Sequence, residues 1–189
     1  MKDLSIGVGI CGSFCTFSQV LPVLQRLAQD NSVTVILSYA AAQWDTRFYR
    51  ASDFRAEVVR ITGREPMTTV VEAEQIGPKK LFDVMLLAPC TGNTLAKLNC
   101  GVTDTPVLMA AKAHLRNERP LVLAPSTNDA LGAAAVNIGG LLNRRNIYFV
   151  PYSQDDYVKK PRSMVAHFGL CDKALEYALQ GQQIQPVLM

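Results

Sequence analysis

Histidine is scarce in this chain, tryptophan occurs once, and no apolar run comes near the ~20 residues that a membrane span requires. With only His114 and His167, neither of them near a cysteine pair, no metal site is expected. Polybasic tracts are also missing. The net charge of +3 comes from 19 basic and 16 acidic residues spread along the sequence, which argues against nucleic acid or anionic lipid as a partner. A small anion stays open. The start, M-K-D-L-S-I-G-V-G-I-C-G, breaks into glycines too early for a signal peptide. The five cysteines are odd in number and form no framework, so reduced thiols in a cytoplasmic protein are expected. Cys11 and Cys15 are spaced one residue too widely for a thioredoxin-type motif and read as small core or turn residues.

What is present is apolar substance. Apolar residues make up 49% of 189 and charged residues 19%, enough for one domain with a real core and little solvating surface to spare, so a homo-oligomer is expected. Leu4–Ile10 and Ser32–Leu37 read as buried strands flanking a helix that Ser13 caps, with Phe14, Phe17, Leu21, Leu24 and Leu27 on one stripe. Further strands are expected at 68–71, 83–88, 120–124 and 146–150, and helices at 47–60, 94–99, 104–115, 129–143 and 164–179. The polar, proline-containing stretch 151–162 reads as a surface connection. Short all-apolar strands alternating with helices predict a single α/β domain over 1–189. It is a Rossmann-like or flavodoxin-like three-layer fold whose mostly parallel sheet has helices on both faces. Ligands of such sheets bind beyond the carboxyl ends of the strands.

Three strand-to-helix turns carry polar side chains toward that edge. G-V-G-I-C-G-S-F, from Gly7 to Phe14, matches G-x-G-x-x-G only formally: Gly7 and Gly9 fall inside the strand, and Ser38 and Tyr39 stand where an acidic residue would follow the second strand. Gly12 and Ser13 are better read as an anion turn at a helix N-terminus, or as a tight turn with an ordinary cap. In L-A-P-C-T-G-N-T, Thr91, Asn93 and Thr94 offer more donors than capping needs; overbuilt capping is the alternative. A-P-S-T-N-D ends the next strand with Ser126, Thr127 and Asn128. Together the turns suit a phosphate with a sugar-like chain attached.

A-P-C-T-G-N-T-L-A-K-L-N-C-G-V-T-D-T-P resembles the A-P-x-(S/T)-x-N-T signature of the flavin mononucleotide-binding decarboxylase family that includes phosphopantothenoylcysteine decarboxylase, and Gly12-Ser13 matches its first phosphate turn. The stretches T-D-T-P-V-L-M-A-A-K-A-H-L-R-N-E-R-P-L-V-L-A-P-S-T-N-D-A-L-G and N-I-Y-F-V-P-Y-S-Q-D-D-Y-V-K-K-P-R-S-M-V-A are similar, more narrowly, to the B-subunit family of dipicolinate synthases. The resemblance implies FMN as cofactor, with Gly12, Ser13, Ser38, Thr91, Gly92, Asn93, Thr94 and Ser126 in the flavin-contacting places. It also implies that a dipicolinate synthase A subunit carrying NADP(H) is the partner, that a small dicarboxylate is the substrate, and that dihydrodipicolinate is oxidised in the mother cell of a spore-forming bacterium. One departure stands out. The decarboxylases carry a histidine upstream of A-P-x-T, whereas Val70 to Asp83 has none, and their P-x-M-N loop is here Pro125, Ser126, Thr127 and Asn128.

The residues thus leave three readings open: one half of a two-protein oxidoreductase, a free-standing FMN-dependent decarboxylase, and a non-catalytic scaffold with a vestigial nucleotide site. His114 and His167 sit among apolar neighbours on expected helices and read as structural. Lys79-Lys80 reads as a solvated turn or as a guide for a dicarboxylate or an acidic partner. Asp155, Asp156, Lys159 and Lys160 read as a partner surface or lid, or as an ordinary exposed loop. Among the groups near the sheet edge, Asp129 is the one ordinary base.

Overall fold

The computed structural model describes residues 1–189. In chain order, β1 (Ser5–Ile10) leads through a 3₁₀ turn at Phe14–Thr16 into α1 (Phe17–Asp30), β2 (Ser32–Leu37), α2 (Tyr39–Gln43) and α3 (Ala51–Thr62). Next come α4 (Val70–Glu74), α5 (Ile76–Lys79), β3 (Val84–Cys90), α6 (Gly92–Cys100), α7 (Pro106–Leu115) and β4 (Leu121–Thr127). The chain closes with α8 (Ala135–Leu142), β5 (Ile147–Phe149), β6 (Tyr152–Gln154), β7 (Met164–Ala166), a second 3₁₀ turn at Phe168–Leu170 and α9 (Cys171–Leu179).

The sheet is mixed and has seven strands. β2, β1, β3, β4 and β5 pair in parallel, while β7 runs antiparallel to the end of β4 at Ser126–Thr127 and pairs with β6. All residues of β3, and all but the first of β1, are buried, because helices cover both faces and water reaches neither. Gly7 and Gly9 are strand residues. A Cβ on Gly9 would lie 2.5 Å from Leu87 Cδ2 and one on Gly7 2.5 Å from the Phe82 ring, so both glycines make room for core side chains and no dinucleotide turn forms there. Phe17 stacks on Phe54 with ring centroids 4.1 Å apart, and Phe14 and Tyr49 complete an aromatic cluster that fastens α1 to α3.

Four expected elements differ from those observed. The strand expected at 68–71 is the start of α4: Thr69 accepts from the Glu72 amide while Glu72 bonds back to the Thr69 amide, so a reciprocal capping box outweighs the β-branched residues. The helix expected over 129–143 begins only at Ala135, after a run of turns. The helix expected over 47–60 begins at Ala51 and ends at Gly63, whose φ of 69° suits a glycine stop. Finally, the helix expected over 164–179 divides: Met164–Ala166 is strand β7, and with β6 it turns part of the supposed surface connection into a hairpin lying beside the end of β4. No helix is long and apolar enough to cross a membrane.

Candidate functional site

Because β1 lies next to β3 and β3 next to β4, the turns that follow them sit side by side at the carboxyl edge of the sheet. Two cavities open there and share Gly12 and Thr91 as a common wall. The first, about 420 Å³, runs along the β4 turn from Ser126 to Asp129 and is roofed by Asp155, Lys160, Ser163 and Val165 of the β6–β7 hairpin. The second, about 380 Å³, lies between Ser38, Tyr39, Ala40 and Trp44 on one side and Asn93, Thr94, Thr105 and Leu108 on the other. All eight sequence-predicted site residues line one or other of them: Gly12, Ser13, Thr91, Gly92 and Ser126 the first, and Gly12, Ser38, Thr91, Asn93 and Thr94 the second.

Their polar atoms are not equally free. Ser13 makes no side-chain cap, contrary to the expected helix start; its hydroxyl pairs with Ser126 Oγ at 2.7 Å, bridging the β1 and β4 turns. Thr91 caps α6 by accepting from the Thr94 amide, and Ser38 caps α2 by accepting from the Ala41 amide. Thr94 is buried and turned inward, its hydroxyl 3.1 Å from Thr91 Oγ1 and donating to Cys11 Sγ at 3.2 Å. Gly12 lacks a Cβ that would stand 3.2 Å from Ala40 Cβ, which keeps the wall between the cavities thin. The amides of Gly92 and Asn93 begin α6 and have no partner within the helix, so they add donors at its positive end.

Beneath this floor lie two buried thiols. A hydrogen bond from Cys90 holds the Cys11 thiol below its usual range against the effect of burial, with Thr94 assisting, while burial pushes Cys90 well up. The roof carries charge. Lys160 Nζ lies 3.3 Å from Asp155 Oδ2. Burial tends to raise the Asp155 carboxyl, but hydrogen bonds from Ser163, nearby amides and Lys160 outweigh it and hold the group below the ordinary carboxylate range. No three metal-binding side chains converge.

Neither histidine reaches the two cavities. His114 is buried in α7, where its Nε2 meets the Pro120 carbonyl at 2.9 Å at the opposite, amino edge of the sheet. His167 pairs with Ser153 Oγ at 2.9 Å beside the hairpin. Lys79 and Lys80 also belong to the amino edge: Lys80 ends α5 just before β3, and its carbonyl accepts from Arg119. They are therefore not candidates for work at this site. Sequence reasoning missed Phe48, Tyr39 and Trp44, which rim the cavities, because lone aromatics in short elements carry no periodic signal, and it took Phe14, which lines the first cavity, for a residue of the α1 stripe. Ser163 was missed too, since the hairpin that places it was read as a surface connection followed by the start of a helix.

Set against known proteins, residues 1–150 match the profile of a family described as Flavoprotein. The B subunit of dipicolinate synthase from Bacillus subtilis (strain 168) is 43% identical over 190 residues, covering 100% of this chain and 95% of that protein. The crystal structure of the dipicolinate synthase B subunit from Bacillus halodurans superposes with a TM-score of 0.91 at 42% identity, covering 100% of this chain and 97% of that one. The FMN-dependent cysteine decarboxylase SpaF shares the fold, with a TM-score of 0.69 at 20% identity over 94% of this chain and 97% of that one. The chain belongs to the Flavoprotein family.

Proposed function

We propose that this chain acts as the B subunit of a dipicolinate synthase, working with the dipicolinate synthase A subunit, which carries NADP(H), to oxidise dihydrodipicolinate to dipicolinate. The observation that carries the reading is the 43% identity to the Bacillus subtilis protein over the whole chain. The paired cavities support it, being large enough for a planar cofactor and a small dicarboxylate side by side.

FMN suits the residues present. Ser13, Ser126 and Thr91, with the amides of Gly12, Gly92 and Asn93, would hold the phosphate beside the wall that the two cavities share, leaving the Thr127–Asp129 side of the first cavity to the dicarboxylate. The second cavity, with Ser38 and Thr94 in its wall and Tyr39, Trp44 and Leu108 as apolar surface, would hold the rest of the cofactor. When bound, the flavin supplies a two-electron acceptor. The chain's own part is to keep these donors pre-set, through the Ser13–Ser126 bridge and the Thr91 cap, and to cover the first cavity with the β6–β7 hairpin. A homo-oligomer, a cytoplasmic location in the mother cell and a role in sporulation follow from the same reading. No histidine lines either cavity, which disfavours a free-standing decarboxylase.

The test is reconstitution. Mixed A and B subunits given dihydrodipicolinate and oxidised nicotinamide should form dipicolinate, followed by its ultraviolet absorbance, well above the sum of the separate rates, and the purified chain should show flavin absorption in the visible. Full activity from this chain alone with added nicotinamide would refute the division of labour, and no gain over the partner protein alone would leave a scaffold role.

A further inference from the structure

We propose that Asp129 is a catalytic residue, the carboxylate that accepts the proton lost from the dicarboxylate ring in the first cavity. This rests on the function proposed above. Asp129 lies on the exposed β4 turn and lines that cavity with Thr127 and Asn128. The cavity holds two carboxylates. Asp155 is paired with Lys160, whereas Asp129 has no cation within 4 Å.

Its placement is not that of a helix cap. An aspartate opening a helical turn would be expected to accept from the amides two or three residues on. Here those amides are satisfied elsewhere: Leu131 donates to the Arg162 carbonyl at 3.0 Å, and Gly132 donates at 2.8 Å to the backbone carbonyl of Asp129. The Asp129 carboxylate turns back instead and accepts from Thr127 Oγ1 at 2.5 Å through Oδ1, leaving Oδ2 without a hydrogen-bond partner. The first residue of α6 makes room for this pair. A Cβ on Gly92 would lie 2.6 Å from Thr127 Oγ1 and 2.9 Å from Asp129 Oδ1. The carboxylate is thus held by one oxygen beside the first residue of α6, with its other oxygen free to take a proton. The remaining polar groups of the cavity are hydroxyls, an amide, a thiol and the paired ions, so no other unpaired anion is present.

In the step itself, a ring C–H bond breaks as its hydrogen leaves with the electron pair, which ends on the partner's oxidised nicotinamide. A second ring hydrogen leaves as a proton to Asp129 Oδ2, its bonding pair stays to complete the aromatic ring, and the proton then passes to water.

The experiment compares the A–B complex carrying Asp129→Asn with the unmodified complex, measuring both turnover and the binding of dipicolinate itself by calorimetry. Loss of a positioned base should lower turnover by about 10²–10⁴-fold. Removing a negative charge from a cavity that takes a dianion should leave dipicolinate binding unchanged or tighter, an effect that a merely structural role would not give. An asparagine variant that keeps its turnover, or one that loses dipicolinate binding together with turnover, overturns the assignment. If the unmodified complex forms no dipicolinate, the functional reading fails first and this proposal with it, an outcome distinct from the other two.

Discussion

His114 titrates against the fold. Burial drives its pKa down to about 4, against an ordinary value of 6.5, with the Pro120 carbonyl only partly opposing. A histidine depressed in the folded state takes up its proton first when unfolded. Its contribution is therefore intact above about pH 6.5 and is lost as the pH falls toward 4. By pH 5 the loss should be about 2 kcal/mol. Urea unfolding at pH 7 and pH 5 checks this: His114→Gln, which keeps a donor for the carbonyl, should lose that much less stability over the interval than the unmodified chain. Equal losses in the two proteins would contradict the assignment. At this scale the sequence was informative about residue types and poor about what their atoms face. Thr91, Asn93 and Thr94 were rightly placed after a strand, but nothing in L-A-P-C-T-G-N-T tells that Thr94 spends its hydroxyl on Cys11, 83 residues away. Ser13 was expected to cap, and the partner that takes its hydroxyl, Ser126, is 113 residues distant.

Among the elements, the parallel strands were the most legible, because burial on both faces writes itself as an unbroken apolar run. The glycines within β1 were the misleading part of that run. Gly9 faces Leu87 Cδ2 at 2.5 Å and Val107 Cγ1 at 3.0 Å from its would-be Cβ, so Gly9→Ala should overpack the layer between β1, β3 and α7. The cost should be about 1–3 kcal/mol, read as a lower denaturation midpoint with unchanged slope. An alanine variant as stable as the parent would show that the strands part easily. The elements that went unread are those set by pairing rather than periodicity. Met164, Phe168, Cys171 and Leu175 follow a helical spacing, yet Met164 and Val165 pair across to Thr127 and Ser126. A three-residue strand gives local sequence little room to outvote such a register, and the roof of the first cavity was legible only as a polar segment containing Asp155 and Lys160.

For the whole molecule the question is what covers its remaining apolar surface. Val136 is 73% exposed, and Leu131 and Leu142 also point outward from α8 and the turns before it; Val102 is exposed after α6, which packs against α8 through the Asn99–Asn137 hydrogen bond. Apolar side chains scattered singly are ordinary on a soluble protein, but four exposed ones on or beside one packed helix pair make that pair the first candidate for a surface that self-association buries. Charge is low over the chain as a whole, at 19% of residues. We therefore expect this chain to be a homo-oligomer joined at least in part through α8, in a symmetric closed arrangement. Sedimentation at tens of micromolar protein should give a mass well above the 20.7 kDa of one chain. Val136→Glu places a charge at the most exposed of these positions without touching the core, and should shift the protein toward monomer while leaving its circular dichroism unchanged. A monomeric parent would refute self-association outright, and an oligomer indifferent to the glutamate would move the interface elsewhere on the surface, with the aromatic rim of Tyr39, Trp44 and Phe48 as the next face to examine.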